Sequence, residues 1–184
     1  MPAAVVGTVA IVLGTALAPK ATGAAGAMAF RGGTTGEQRE VRKALAASAF
    51  PFGVVGRTIT VHIKAGVVSQ SQPGHVWLDS RLLDAGRFSW ATVQDEFAHQ
   101  VDFFVLRDSQ RARLNTLLGG VDWCYGVPGL PHAAYGCERF SSMVAWAYWP
   151  SVDNAYRPAS SADESAAMPA ARFRAIVDAM LANR

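Results

Sequence analysis

Between Thr58 and Lys64 apolar and polar residues alternate one for one. Ile59, Val61 and Ile63 face one side and Thr58, Thr60, His62 and Lys64 the other, which predicts a strand with one buried face. His62 falls on the polar side and reads as a surface residue. From Ser89, a helix N-cap candidate, the period changes. Trp90, Val93, Phe97, Val101 and Phe104 recur at spacings of three and four, predicting a helix of about 18 residues running to Arg107. Asp95, His99 and Asp102 fall on the opposite stripe, with Phe103 and Leu106 beside them. Acids, an imidazole and large apolar groups on one face predict a helix covered on both sides, its polar residues lining a cleft.

The rest of the chain reads as mostly helical. Arg31 to Gly36 is Gly- and Thr-rich and reads as a flexible lead-in to a helix over Glu37 to Ala49, with Val41, Leu45 and Ala49 on one stripe. Pro51 and Gly53 stop that helix. Ser69 to Gly74 reads as a turn, and His75 to Leu78 as a short strand ending at Asp79, an N-cap for a helical turn through Leu83. Asp108 or Ser109 caps a helix ended by Gly119-Gly120. Val121 to Gly136 is a rigid aromatic loop, and Glu138 to Trp149 a helix ended by Pro150. Ser160 to Pro169 reads as a loop, and Ala170 to Leu181 as an amphipathic helix with Phe173, Ile176, Val177 and Met180 inward. No internal repeat is present.

At 184 residues and 51% hydrophobic, the chain has the material for one substantial core. The net charge of +3 comes from scattered arginines with no long basic run, which argues against nucleic acid as a partner. Ala3 to Ala18 is uncharged and apolar, and Ala25-Gly26-Ala27 offers a small-residue cleavage site. Residues 1–27 therefore read as an export signal or, uncleaved, as an N-terminal membrane anchor, leaving residues 28–184 as one secreted or cell-surface domain. The two cysteines, Cys124 and Cys137, flank one Gly- and Pro-rich loop. They either form a disulfide closing about 14 residues, worth roughly 3 kcal/mol, or remain two buried thiols. Their spacing does not suit a zinc ribbon.

The densest chemistry lies in Gln94-Asp95-Glu96-Phe97-Ala98-His99-Gln100-Val101-Asp102. The zinc-peptidase pattern His-Glu-x-x-His sets two imidazoles four residues apart on one helical face, with a Glu beside them to take a proton from the metal-bound water. Glu96 and His99 stand where that pattern wants them, and Asp95 holds the first ligand position. Asp95 to Asp102 resembles the His-Glu-Phe-Gly-His-x-x-Asp helix of zincin metallopeptidases, in particular gluzincins of the anthrax lethal factor type. In that family a downstream helix beginning Glu-Phe-Phe-Ala supplies a third ligand; Glu138-Arg139-Phe140-Ser141 occupies the comparable place here.

The resemblance spans roughly Thr58 to Trp149 and implies an α+β, zincin-like fold: a small twisted sheet packed on the motif helix, with a mainly helical C-terminal half. It also implies zinc as cofactor, held by His99, Glu138 and the substituted Asp95, with Glu96 as catalytic base and a peptide or protein as substrate. Asp102 would orient a ligand imidazole or the following loop, and His132 and Tyr135 would stabilise the oxyanion. Asp is shorter than His, and a second anionic ligand lessens the positive charge felt by a bound water. The implied activity is exported metal-dependent peptide-bond hydrolysis. Two rivals stand beside it: an inactive zincin-like domain serving as an extracellular binding module, and an unrelated helical surface protein whose Asp95 and His99 form an ordinary ion pair. Glu96 and His99 give one Glu-x-x-His, but Ser141 stands where a two-metal bundle needs a second His. No P-loop, dinucleotide fingerprint or Gly-x-Ser-x-Gly elbow appears.

Overall fold

A computed structural model describes residues 27–183. The expected targeting segment thus lies, apart from Ala27, outside the described residues. Of the described helices, none is long and apolar enough to cross a membrane. The described residues mix a small four-stranded sheet with a largely helical remainder, compatible with an α+β class.

The sheet runs in the order β1-β2-β4-β3. Strands β1 (Met28–Gly32), β2 (Ile59–Lys64) and β4 (His75–Asp79) are parallel, and β3 (Gln70–Gln72) lies antiparallel on β4 at the edge. The alternation of β2 is realised: Ile59, Val61 and Ile63 join Val76 and Leu78 in the core. On the outer face His62 is no isolated surface residue, for its ring lies 4.8 Å from Trp77 and within 7° of parallel to it.

Two strands correct the expectations. Strand β1 starts before the expected lead-in and takes in its Arg31 and Gly32; Met28 and Phe30 are partly buried and alternate with exposed Ala29 and Arg31. It ends where Gly32 adopts φ 77, with Ile63 O so close that a Cβ would come to 2.6 Å of it. The expected turn contains β3, three polar residues carrying no hydrophobic signal and held by pairing with β4. Gln100, wholly buried, fixes the β3–β4 hairpin from the helix side. It donates to Gln72 O at 3.0 Å and His75 O at 3.1 Å, and accepts from Gly74 N at 2.8 Å.

Helix α1 (Thr35–Ala47) opens on a capping box between Thr34 and Glu37. Asp79 caps the single turn α2 (Ser80–Leu83), as its position predicts. Helix α3 (Trp90–Val105) is buried along Val93 to Asp102 without a break, confirming a helix covered on both sides. Ser89 is not its side-chain cap, because the hydroxyl turns back to donate to Gly86 O at 2.7 Å. Helix α4 (Asp108–Leu118) ends at Gly119, left-handed at φ 71. Helix α5 (Gly136–Ala147) starts two residues before the expected Glu138 and α6 (Ala170–Ala182) closes the chain. The core gathers Val93, Phe97 and Val101 of α3 with Phe140, Met143 and Val144 of α5 and Phe173 and Val177 of α6. One stripe of α3 thus meets oil while the other is free to face α5 with its acids.

Gln100→Leu removes one side chain and strands three backbone groups. It is expected to cost about 2–4 kcal/mol of unfolding free energy, read by urea denaturation; an unchanged midpoint would show that the hairpin does not depend on Gln100.

Candidate metal centre between α3 and α5

The sequence motif's acids and imidazole project from α3 toward the N-terminal turn of α5. Asp95, Glu96, His99 and Glu138 are all less than 9% exposed, unusual for four ionisable groups in one cluster. His99 Nε2 lies 3.3 Å from Glu138 Oε2, so helices 39 residues apart in sequence converge at that point. The same Glu138 oxygen is 3.2 Å from His132 Nε2, and the other nitrogen of His132 reaches Glu164 Oε1 at 2.7 Å. Ser142 bridges what remains, 3.3 Å from Asp95 Oδ1 and 3.0 Å from Glu164 Oε2.

A cleft of about 750 Å³ opens over this cluster. Asp95, Glu96, His99 and Glu138 line it together with Ser71 of β3, Tyr125, His132 and Tyr156. Edge strand β3 is tied to the floor, Ser71 Oγ donating to the backbone carbonyl of Glu96 at 2.7 Å.

Burial and charge set the protonation of the cluster. Burial pushes the Asp95 and Glu96 carboxyls up, neighbouring carboxylates add to it, and the His99 charge only partly offsets both. Burial pulls His99 down, yet its hydrogen bond to Glu138 and the charges of Asp95, Glu138 and Glu96 outweigh that and hold it up at about 9. Glu138 is penalised by burial and still ends below the ordinary carboxylate range, because His99 and then His132 face it. The buried Asp95, Glu96 and Glu138, with Glu164 beside them, therefore outnumber buried His99 and exposed His132, an excess of acid that favours a positive ion.

The donors suit a metal in part. Among the described residues His99, Cys137 and Glu138 place ligand atoms within 4.8 Å of one another, a buried group able to hold an ion. The Asp95 carboxylate is not in that group and turns to Ser142 instead. Cys137 is bonded to Cys124, which decides between the disulfide and the two thiols that sequence left open. A disulfide sulfur carries no thiolate charge, so in this state His99 and Glu138 are the competent pair. Two donors at 2.0–2.1 Å from a tetrahedral ion stand about 3.3 Å apart, which is the spacing of that pair.

Other expected residues take different places. Asp102 orients the loop and not an imidazole: its carboxylate accepts from Arg111 Nε at 2.8 Å and Trp123 Nε1 at 3.1 Å. Tyr135 is turned away, its hydroxyl donating to Val127 O at 2.7 Å, and Tyr125 lines the cleft instead. Glu164 and Tyr156 belong to the site but carry no sequence signal. Glu164 sits in a Ser- and Ala-rich loop that only folding brings to His132.

Linkage gives the cluster a sign. His99, raised from 6.5 to about 9, stabilises the fold fully below pH 6.5 and loses that contribution as pH climbs through about 9. The raised carboxyls of Asp95 and Glu96 act in the same direction; Glu138, lowered, opposes them only in acid, losing its contribution as pH falls through its folded value. The chelator-treated protein should therefore unfold at lower urea at pH 9 than at pH 6.5, and Glu138→Gln should flatten that slope. Equal midpoints at both pH values in the wild type would contradict the assignment.

Compared with known protein families, characterised proteins and solved structures, the chain finds no match.

Proposed function

We propose that the protein is an exported, zincin-like hydrolase of peptide bonds, with a divalent ion, zinc by donor type, held between α3 and α5. The observation that carries this reading is the 3.3 Å approach of His99 Nε2 to Glu138 Oε2, from two helices that the family pattern requires to converge. Glu96, one position after Asp95 and in the same cleft, supports it. The disulfide and the apolar start of the chain support an oxidising, extracytoplasmic setting.

His99 and Glu138 would hold the ion, and Asp95 would complete the set only by leaving Ser142 or acting through a water. Bound zinc supplies Lewis acidity, polarising the scissile carbonyl and acidifying a water. Glu96, its carboxyl raised by burial and by Asp95, would have to be ionised by the cation beside it to take the proton of the attacking water and hand it to the departing amine. The cleft lined by Ser71 of β3, Tyr125 and Tyr156 is where a peptide substrate would lie.

A second reading, a binding module on an inactive zincin-like frame, draws on one observation: Asp95 hydrogen-bonds Ser142 and stands apart from the donor group. Metal analysis and peptide hydrolysis separate the two. On the first reading the wild type carries stoichiometric zinc and Glu96→Gln lowers peptide hydrolysis by roughly 10²-fold or more with zinc retained. On the second the wild type hydrolyses nothing, and Asp95→His gains tight zinc. No zinc in either wild type or Asp95→His rules out both.

A further inference from the structure

We propose that Cys137, His99 and Glu138 form a three-donor site for a borderline-soft divalent ion, masked while Cys137 is bonded to Cys124 and opened by a dithiol reductant. The inference rests on the metal site of the proposed function and names the ligand that site lacks.

Spacing is the first support. Cys137 Sγ lies 3.7 Å from Glu138 Oε1, and His99 Nε2 lies 3.3 Å from Glu138 Oε2. Around a tetrahedral zinc with sulfur at 2.3 Å and oxygen or nitrogen near 2.0–2.1 Å, those separations are about 3.5 and 3.3 Å. The two separations run to different oxygens of Glu138, and one ligand atom from each of the three residues lies within 4.8 Å of the others, so a small adjustment would bring the sulfur into a third corner. Asp95, which the motif assigns to that role, does not reach it.

Chemistry is the second. To the imidazole and carboxylate a thiolate would add a third donor, of the kind zinc favours most among protein ligands. Oxidation removes that ligand by tying its sulfur to Cys124. Sulfur, imidazole and carboxylate would leave the fourth position open toward the cleft.

Access is the third. Cys137 is wholly buried, whereas Cys124 is half-exposed and lines the cleft. A thiolate of the reductant would attack Cys124 Sγ, breaking the protein disulfide, forming a mixed disulfide and expelling Cys137 as thiolate. The second thiol of the reductant then closes on the first, giving the oxidised reductant and freeing Cys124. Two electrons enter the protein, one on each sulfur; the Cys124 sulfur takes a proton and Cys137 stays deprotonated on the metal.

Cys124→Ser isolates the effect because it frees Cys137 without any reductant. Cobalt titration of that variant, checked for folding by circular dichroism, should give the near-ultraviolet thiolate-to-cobalt charge-transfer band. Competition should show zinc bound roughly 100-fold tighter than by the oxidised wild type. Cys137→Ser, which leaves Cys124 free, should show neither. A folded Cys124→Ser without the band, or an equal band in Cys137→Ser, overturns the inference. If Cys124→Ser does not fold, wild type reduced with a phosphine is titrated instead, and absence of the band there overturns it equally. Oxidised wild type without zinc or hydrolysis beside a cobalt band in Cys124→Ser sinks the peptidase reading and leaves the masked site standing.

Discussion

Four ionisable side chains buried between two helices demand compensation, and the contact between His99 and Glu138 provides its centre. An isolated carboxylate or imidazolium in such a space would cost several kcal/mol or shed its charge. Here much of the charge is answered. Glu138 faces two imidazoles, His132 is held between two carboxylates, and Ser142 joins Asp95 to Glu164. The remaining imbalance, too many acids for the available imidazoles, is expressed in the raised carboxyls of Asp95 and Glu96.

The surroundings serve to keep those two helices in register. The disulfide pins the first turn of α5 to the loop after α4, and Asp102 holds the same loop through Trp123 and the start of α4 through Arg111. On the opposite side Gln100 and Ser71 bind the β3–β4 hairpin to α3. Helix α3 is therefore tied to a strand through Glu96 and Gln100 and to a loop through Asp102. Its apolar stripe, by contrast, needs only a well-packed core.

Asp95 changes the character of the site more than its place. The Asp95 carboxylate accepts from Ser142 and adds negative charge to a cluster already rich in it. The sulfur that stands beside His99 and Glu138 is that of Cys137, which the fold uses as a crosslink to Cys124. On the inference drawn above, stability and metal affinity would compete for that one atom.

What the sequence determined was whatever depends on neighbours a few residues away: the period of α3, the alternation of β2, the Asp79 cap, and the Glu96 and His99 pair on one helical face. The partnership of His99 with Glu138 was legible only through a family resemblance, since nothing local in Glu138 points to an imidazole 39 residues earlier. Strands β1 and β3 were missed because a short edge strand, three polar residues in β3 and only Met28 and Phe30 partly buried in β1, gains its order from pairing with a partner. Glu164, Tyr156 and Tyr125 enter the cleft on loops, and the Ser142 bond that diverts Asp95 joins residues 47 apart. Those choices were made by tertiary packing, because pairing a buried charge depends on which groups the folded chain brings within a few ångströms, and no local pattern records that.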